Sequence, residues 1–159
     1  MTSPRQRLEI MIKAKPLSAN EMNQPTRGKG KARVVNTAKY KRYKQLIAKE
    51  VHDQGFHSEH GDKYQLDLIV GYSNVTSDLD NAFKPLLDSL QLALGFNDNQ
   101  VYQINALKDI TPVGKEYLCI RMTTITDTMW DRRIAQLFDG FLSAIKKRWR
   151  PQRLKGSKQ

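Results

Sequence analysis

The sequence has one cysteine, Cys119. One thiol closes no intrachain disulfide, and a zinc site needs more thiols or a denser histidine cluster. No apolar run approaches the roughly 18 to 20 residues that span a bilayer. The first residues, MTSPRQRLEIMIKAKP, hold no apolar signal core. There is no internal repeat and no glycine-rich phosphate loop. Together these absences set the expectation of a soluble, cytoplasmic, disulfide-free protein that does not enter a membrane.

Negative charge is also scarce. Lys and Arg total 27 against 16 Asp and Glu, which gives a net charge of +11 over 159 residues. That balance points to a polyanionic partner, nucleic acid first and an anionic membrane surface second. The acids that are present cluster. Residues 51–100 hold 8 acids and 2 bases, whereas residues 1–50 hold 13 bases and 3 acids and residues 101–159 hold 12 and 5. A simple polyanion binder has no use for a central acidic group, because that group repels phosphate. A protein that must hold a divalent metal against phosphate does need one.

The length suits one compact domain. Leu8, Ile10, Ile12 and Ala14 alternate as a strand. Pro16 to Arg33, with Pro25 and the run RGKGKAR, reads as a mobile basic loop. Thr37 can cap a helix that ends near Gly55, with Tyr40, Tyr43, Ile47 and Val51 on one side. Tyr64, Leu66, Leu68 and Val70 predict a second strand. Leu79, Phe83, Leu86, Leu87, Leu90 and Leu94 predict a second helix with Gly95 as its C-cap and Pro85 in or near its first turn. Residues 103–109 and 116–126 read as strands of an antiparallel hairpin turning at Thr111-Pro112-Val113-Gly114. A last helix from about Thr128 to Arg150 carries the stripe Trp130, Ile134, Leu137, Phe138, Phe141, Ile145 and Trp149, followed by a basic tail. The expected fold is α/β of the α+β type, a small mixed sheet with packed helices. The expected division is a domain over residues 1–127 and, over residues 128–159, an amphipathic helix and tail packed on that domain.

Asp78-Leu79-Asp80 lies where the second strand joins the second helix. In extended backbone its two carboxylates point to one side. Mg²⁺ is commonly held by one or two carboxylates plus water and phosphate oxygens. The competing reading is that one Asp caps the helix and the other favours its positive end. Asp98 could return to the same end of the sheet, and Lys84 lies one turn from Asp80.

The stretch Asp78-Leu79-Asp80-Asn81-x-x-Lys84-Pro85-x-x-Asp88-x-Leu90, followed by Asp98-x-Gln100-Val101, resembles the signature of the RusA family. These are Holliday-junction resolvases of bacteria and their phages. Upstream, Pro16-x-Ser18-x-Asn20 is similar to the family's Pro-x-Ser-x-Asn element. The resemblance covers residues 8–126 and implies a RusA-like fold with an extra C-terminal helix. It implies a homodimeric, Mg²⁺-dependent endodeoxyribonuclease, with Mn²⁺ able to substitute, that resolves four-way and other branched DNA by paired nicks. It assigns Asp78, Asp80 and Asp98 as metal ligands and Lys84 as the catalytic lysine. Many members carry Asp-Asp before x-Gln-Val, and here the first of that pair is Asn97.

The remaining expectations are local. Asp88, two turns into a helix begun at Asp80, should face away from the metal end and bond a neighbouring loop. Asn20 and Asn81 are candidate positioning groups. Arg27, Lys29, Lys31, Arg33, Lys39, Lys41, Arg42 and Lys44 are candidates to track the phosphate backbone. His52, His57 and His60 sit in a glycine-flanked segment that reads as a loop rather than a metal site. Lys146 to Lys158 could widen the DNA footprint or keep the tail soluble. The alternative to a nuclease is a branched-DNA-binding protein without activity. An Asp-x-Asp transferase is weaker, because no phosphate loop accompanies the motif.

Overall fold

A computed structural model of the chain describes residues 6–26, 33–52, 54–56, 58 and 62–138. Two compact units are distinguished, residues 1–125 and 126–159. In the first, β1 (Arg7–Ile12), β2 (Asn23–Thr26), β3 (Arg33–Asn36), α1 (Ala38–His52), β4 (Lys63–Tyr72), α2 (Phe83–Leu94), β5 (Val101–Ile110) and β6 (Tyr117–Ile125) follow in order. In the second, α3 covers Asp127–Phe138, and the Thr126 hydroxyl accepts the Met129 N–H at 3.4 Å near its start. The apolar stripe expected on that helix and the basic tail fall outside the residues whose side chains are described, as do His57 and His60.

The main sheet has the order β1-β6-β4-β5. Strand β4 is central. It runs parallel to β5 and antiparallel to β6, and β1 pairs antiparallel with β6 on the far side. Its alternation sends Tyr64, Leu66, Leu68 and Val70 into the core. There they join Leu8, Ile12, Leu118, Ile120 and Met122 from the neighbouring strands. The same cluster takes in Tyr40, Tyr43, Ile47 and Val51 of α1 and Leu86, Leu90 and Leu94 of α2. Both helical stripes are therefore where the spacing placed them. The opposite sheet face carries an in-register row, Glu9–Arg121–Asp67–Asn105.

The topology corrects one expectation. Strands β5 and β6 are consecutive but are not hairpin partners, because β4 lies between them. Residues 111–116 cross the end of β4, and the Thr111 N–H bonds the Tyr72 carbonyl at 2.8 Å on the way. A hop over one strand spans about 10 Å, within reach of a few extended residues. Strand β4 takes an inner position, and β4, α2 and β5 form a parallel βαβ unit.

A second correction concerns residues 16–33. The described part of this segment is ordered into a 3₁₀ turn at Ala19–Glu21 and strand β2, which pairs antiparallel with β3 from Asn23↔Asn36 to Thr26↔Arg33. Pro25 is tolerated because a two-stranded ribbon has only edges.

Candidate active site

The segment from the end of β4 to α2 carries the acidic motif, and three side chains hold it. The Tyr72 hydroxyl donates to the Asp78 carbonyl at 3.2 Å. The Lys108 ammonium donates to the Val75 and Ser77 carbonyls, each at 2.6 Å. The Asn74 side chain accepts the Thr76 N–H at 3.0 Å, which closes a local turn.

The Asp-Leu-Asp backbone is not extended as expected. Leu79 is helical, with φ −65° and ψ −41°, and Asp80 opens a 3₁₀ turn over Asp80–Ala82 that runs into α2. That turn starts the helical path early and folds the motif over the helix N-terminus. Neither start is capped by a side chain. Asp78 and Asp80 are both exposed, and Asn81 Nδ2 donates to Asp78 Oδ2 at 3.3 Å. The capping role that competed for these carboxylates is not the one they perform. Both act on a single hydroxyl: Tyr72 is pushed up to about 12, first by burial and then by the charges of Asp80 and Asp78.

Lys84 does not sit beside Asp80. Its ammonium lies 2.7 Å from Asp88 Oδ1 and 3.5 Å from Asp98 Oδ2. These contacts, the hydrogen bond to Asp88 foremost, raise the Lys84 pKa and keep it charged. Asp88 therefore does not face away from the site as expected. Asp88 lies four residues after Lys84 within α2, one turn on and on the same face. Its second oxygen accepts the Tyr40 hydroxyl of α1 at 2.6 Å, so its partner there is a helix and not a loop.

Asp98 starts a 3₁₀ turn, Asp98–Gln100, that leads into β5. Asn97 caps it: its side chain accepts the Asn99 N–H at 3.3 Å, and Gln100 Oε1 accepts the Asn97 N–H at 2.8 Å. Asn serves at an N-cap as well as Asp does. That accounts for Asn97 where many family members carry Asp, and it leaves the Asp98 carboxylate facing Lys84.

The Pro16-x-Ser18-x-Asn20 element forms the 3₁₀ turn at Ala19–Glu21. Ser18 Oγ accepts the Asn20 N–H at 3.3 Å, and Glu21 Oε2 accepts the Ser18 N–H at 3.2 Å. Thr37, at the start of α1, locks this turn by donating to the Glu21 carbonyl at 2.7 Å, while its own hydroxyl accepts the Tyr40 N–H at 3.1 Å. Asn20 thereby lines a polar cleft of about 360 Å³ together with Asp78, Asn81, Lys15, Tyr72 and Glu116. The structure thus brings Asn20, Asn81 and Asp78 together, and separately joins Lys84 to Asp98.

Of the basic candidates, Arg27, Lys29 and Lys31 lie outside the described residues. Arg33, Lys39, Lys41 and Arg42 are exposed. Lys39 is ion-paired with Glu21, and the Lys44 ammonium lies 5.9 Å from the centre of the Tyr40 ring.

Among the described residues no three His, Cys, Asp or Glu side chains gather into a metal-binding group. The donors do suit Mg²⁺ in kind: Asp78 and Asp80 are exposed hard oxygen ligands without an ion-paired cation among the described residues. Two carboxylates are enough when water and a substrate phosphate complete the shell. Asp98, drawn to Lys84, is not gathered with them.

Sequence reasoning missed Lys108, Tyr72 and Tyr40. Lys108 and Tyr40 act across separations of 31 and 48 residues that periodicity does not register, whereas Tyr72 reaches Asp78 from six residues upstream. The parallel pairing of β5 with β4 is what brings Lys108 to the motif.

Residues 15–116 match the family described as Endodeoxyribonuclease RusA. A comparison with curated proteins returns no match.

Proposed function

The chain belongs to the RusA endodeoxyribonuclease family, and from that premise we propose that it cuts four-way and other branched DNA by Mg²⁺-dependent paired nicks in recombination and repair. The observation that carries the reading is the pair Asp78 and Asp80, exposed and unspent on capping, at the entry to the helix whose Lys84 is held between two further carboxylates. No helix among the described residues is long and apolar enough to cross a membrane.

Hydrolysis joins a water oxygen to phosphorus and breaks the bond to a sugar oxygen, which takes up a proton. Asp78 and Asp80 would hold Mg²⁺, and Asp98 is the third ligand in the family pattern. When bound, the metal lowers the pKa of water and shields the phosphoryl oxygens. Lys84, kept charged by its carboxylate neighbours, stabilises the negative charge that builds on the phosphate or gives the proton to the leaving oxygen. Asn20 and Asn81, at the cleft, orient the strand. A twofold homodimer would offer two equivalent sites to the two equivalent strands of a junction.

The test is cleavage of a synthetic four-way junction with and without Mg²⁺ or Mn²⁺, for wild type and Asp80→Asn. Metal-dependent paired nicks that vanish in the variant, with junction binding kept or strengthened, support the proposal. Asp80→Asn cleaving near the wild-type rate sinks it. Tight binding with no cutting under either metal makes the protein a junction binder on a nuclease scaffold.

A further inference from the structure

We propose that Asp88 and Tyr40 are positioning residues that aim the Lys84 ammonium toward the cleavage site. The inference rests on the role given to Lys84 above.

An exposed lysine rotates freely about a four-carbon stem. An i,i+4 carboxylate alone restrains it weakly, because the carboxylate is itself mobile and solvated. Asp88 is not of that kind. Its side chain is 15 % exposed, against 55 % for Lys84. One oxygen meets Lys84 at 2.7 Å, and the other is pinned by the Tyr40 hydroxyl at 2.6 Å. Tyr40 is buried in turn, 3 % exposed, in the first turn of a helix that Thr37 caps. A chain of fixed groups therefore runs from α1 through Tyr40 and Asp88 to Lys84.

Asp88 also decides which carboxylate holds Lys84. The only other ion-pair partner of Lys84 among the described residues is Asp98, at 3.5 Å. Without the Asp88 charge the ammonium would close on Asp98 and occupy a carboxylate assigned to the metal. With it, Lys84 stands between the two. The helices have little need of this link for their packing, since Tyr43, Ile47, Val51, Leu86 and Leu90 already join them in one apolar cluster. Buried polar links of this sort orient groups more than they stabilise a core.

The experiment uses the full chain and a four-way junction under single-turnover conditions with Mg²⁺. Tyr40→Phe, Asp88→Asn and Asp88→Glu are compared with wild type and Lys84→Ala, with junction affinity, stoichiometry and melting temperature measured for each. Misaiming a catalytic group by about an ångström slows a reaction by roughly 10- to 100-fold. Asp88→Asn should show a loss of that order at saturating enzyme, with affinity and binding stoichiometry unchanged. Tyr40→Phe, the milder change, should show a smaller loss in the same direction. Asp88→Glu, which keeps the charge, should recover part of the rate. Wild-type cleavage by both Tyr40→Phe and Asp88→Asn, with Lys84→Ala inactive, overturns the positioning role and leaves the nuclease reading intact. Asp88→Glu as slow as Asp88→Asn, with both melting well below wild type, reduces the link to a helix staple and also overturns it. Wild-type cleavage by Lys84→Ala removes the role of Lys84 itself, and the inference with it.

Discussion

The ammonium of Lys108 lies 2.6 Å from the carbonyl of Ser77. Ser77 immediately precedes Asp78, and Lys108 belongs to a strand of the rigid sheet. The acidic motif is thus tethered to β5 as well as to β4, from which the chain leaves. The same ammonium holds the Val75 carbonyl and lies 5.8 Å from the centre of the Tyr72 ring. Three neighbours fix one lysine, and that lysine fixes the segment.

Lys108→Met should therefore slacken the motif more than it unfolds the protein. Losing charge-assisted bonds at an exposed site should cost about 1 kcal/mol of stability. Cleavage should fall further, roughly tenfold or more, through misplacement of Asp78. Urea unfolding and single-turnover cleavage of the same preparation check both, and loss of stability without loss of rate argues against the tether.

A second tether crosses the sheet. Tyr117 on β6 lies over Gly71 on β4 and bonds Asp109 on β5 at 2.6 Å through its hydroxyl. A Cβ at position 71 would come within 2.5 Å of the Tyr117 ring. Gly71→Ala should cost about 1–3 kcal/mol by overpacking. Adding Tyr117→Ala should relieve that clash, so the double variant should be less destabilised than the sum of the singles. Additive losses in urea melts would show that the ring moves aside freely.

These tethers mark where the sequence was legible. The stripe Tyr40, Tyr43, Ile47, Val51 and the alternation Tyr64, Leu66, Leu68, Val70 are local patterns, and both faces lie buried where the spacing put them. The Asp78 to Val101 signature was legible through its residue types. Partners distant in sequence were not. Nothing local to Asp88 points to Tyr40, 48 residues earlier. Nothing local to Thr111 shows that the chain will cross β4 instead of turning back on β5. The ribbon at Asn23–Thr26 was hidden because Pro25 reads as a strand breaker, a rule that relaxes at an edge.

Stability should depend on pH mainly on the acid side. Glu9 is held below the ordinary glutamate value of 4.5 by hydrogen bonds from Arg121 and Arg7, Glu21 by Lys39, and Glu116 by the Ser73 hydroxyl. A carboxyl with a lowered folded-state pKa contributes stability that is complete above its unfolded value and is lost as pH falls through the folded value. The melting temperature should stay flat from neutral pH down to about 5 and then decline as these groups protonate. Thermal melts across that range check it, and in Glu116→Gln the decline should shrink. A melting temperature that rises on acidification contradicts the assignment.

Salt dependence separates basic residues that meet DNA from those already engaged. Lys41 and Arg42 are exposed on α1 and form no ion pair among the described residues, whereas Lys39 is spent on Glu21. Each phosphate neutralised on duplex DNA steepens the slope of log affinity against log salt by about 0.9. Removing both charges in Lys41→Gln/Arg42→Gln should therefore flatten the slope by nearly 2 units. It should weaken binding by a similar factor whatever the arm sequence, because phosphate contacts carry no base information. Lys39→Gln should change the slope by much less, since binding there must first displace Glu21. Junction affinities measured from low to physiological salt check both variants. A slope unchanged in the double variant leaves that face of α1 in solvent and moves the phosphate contacts elsewhere.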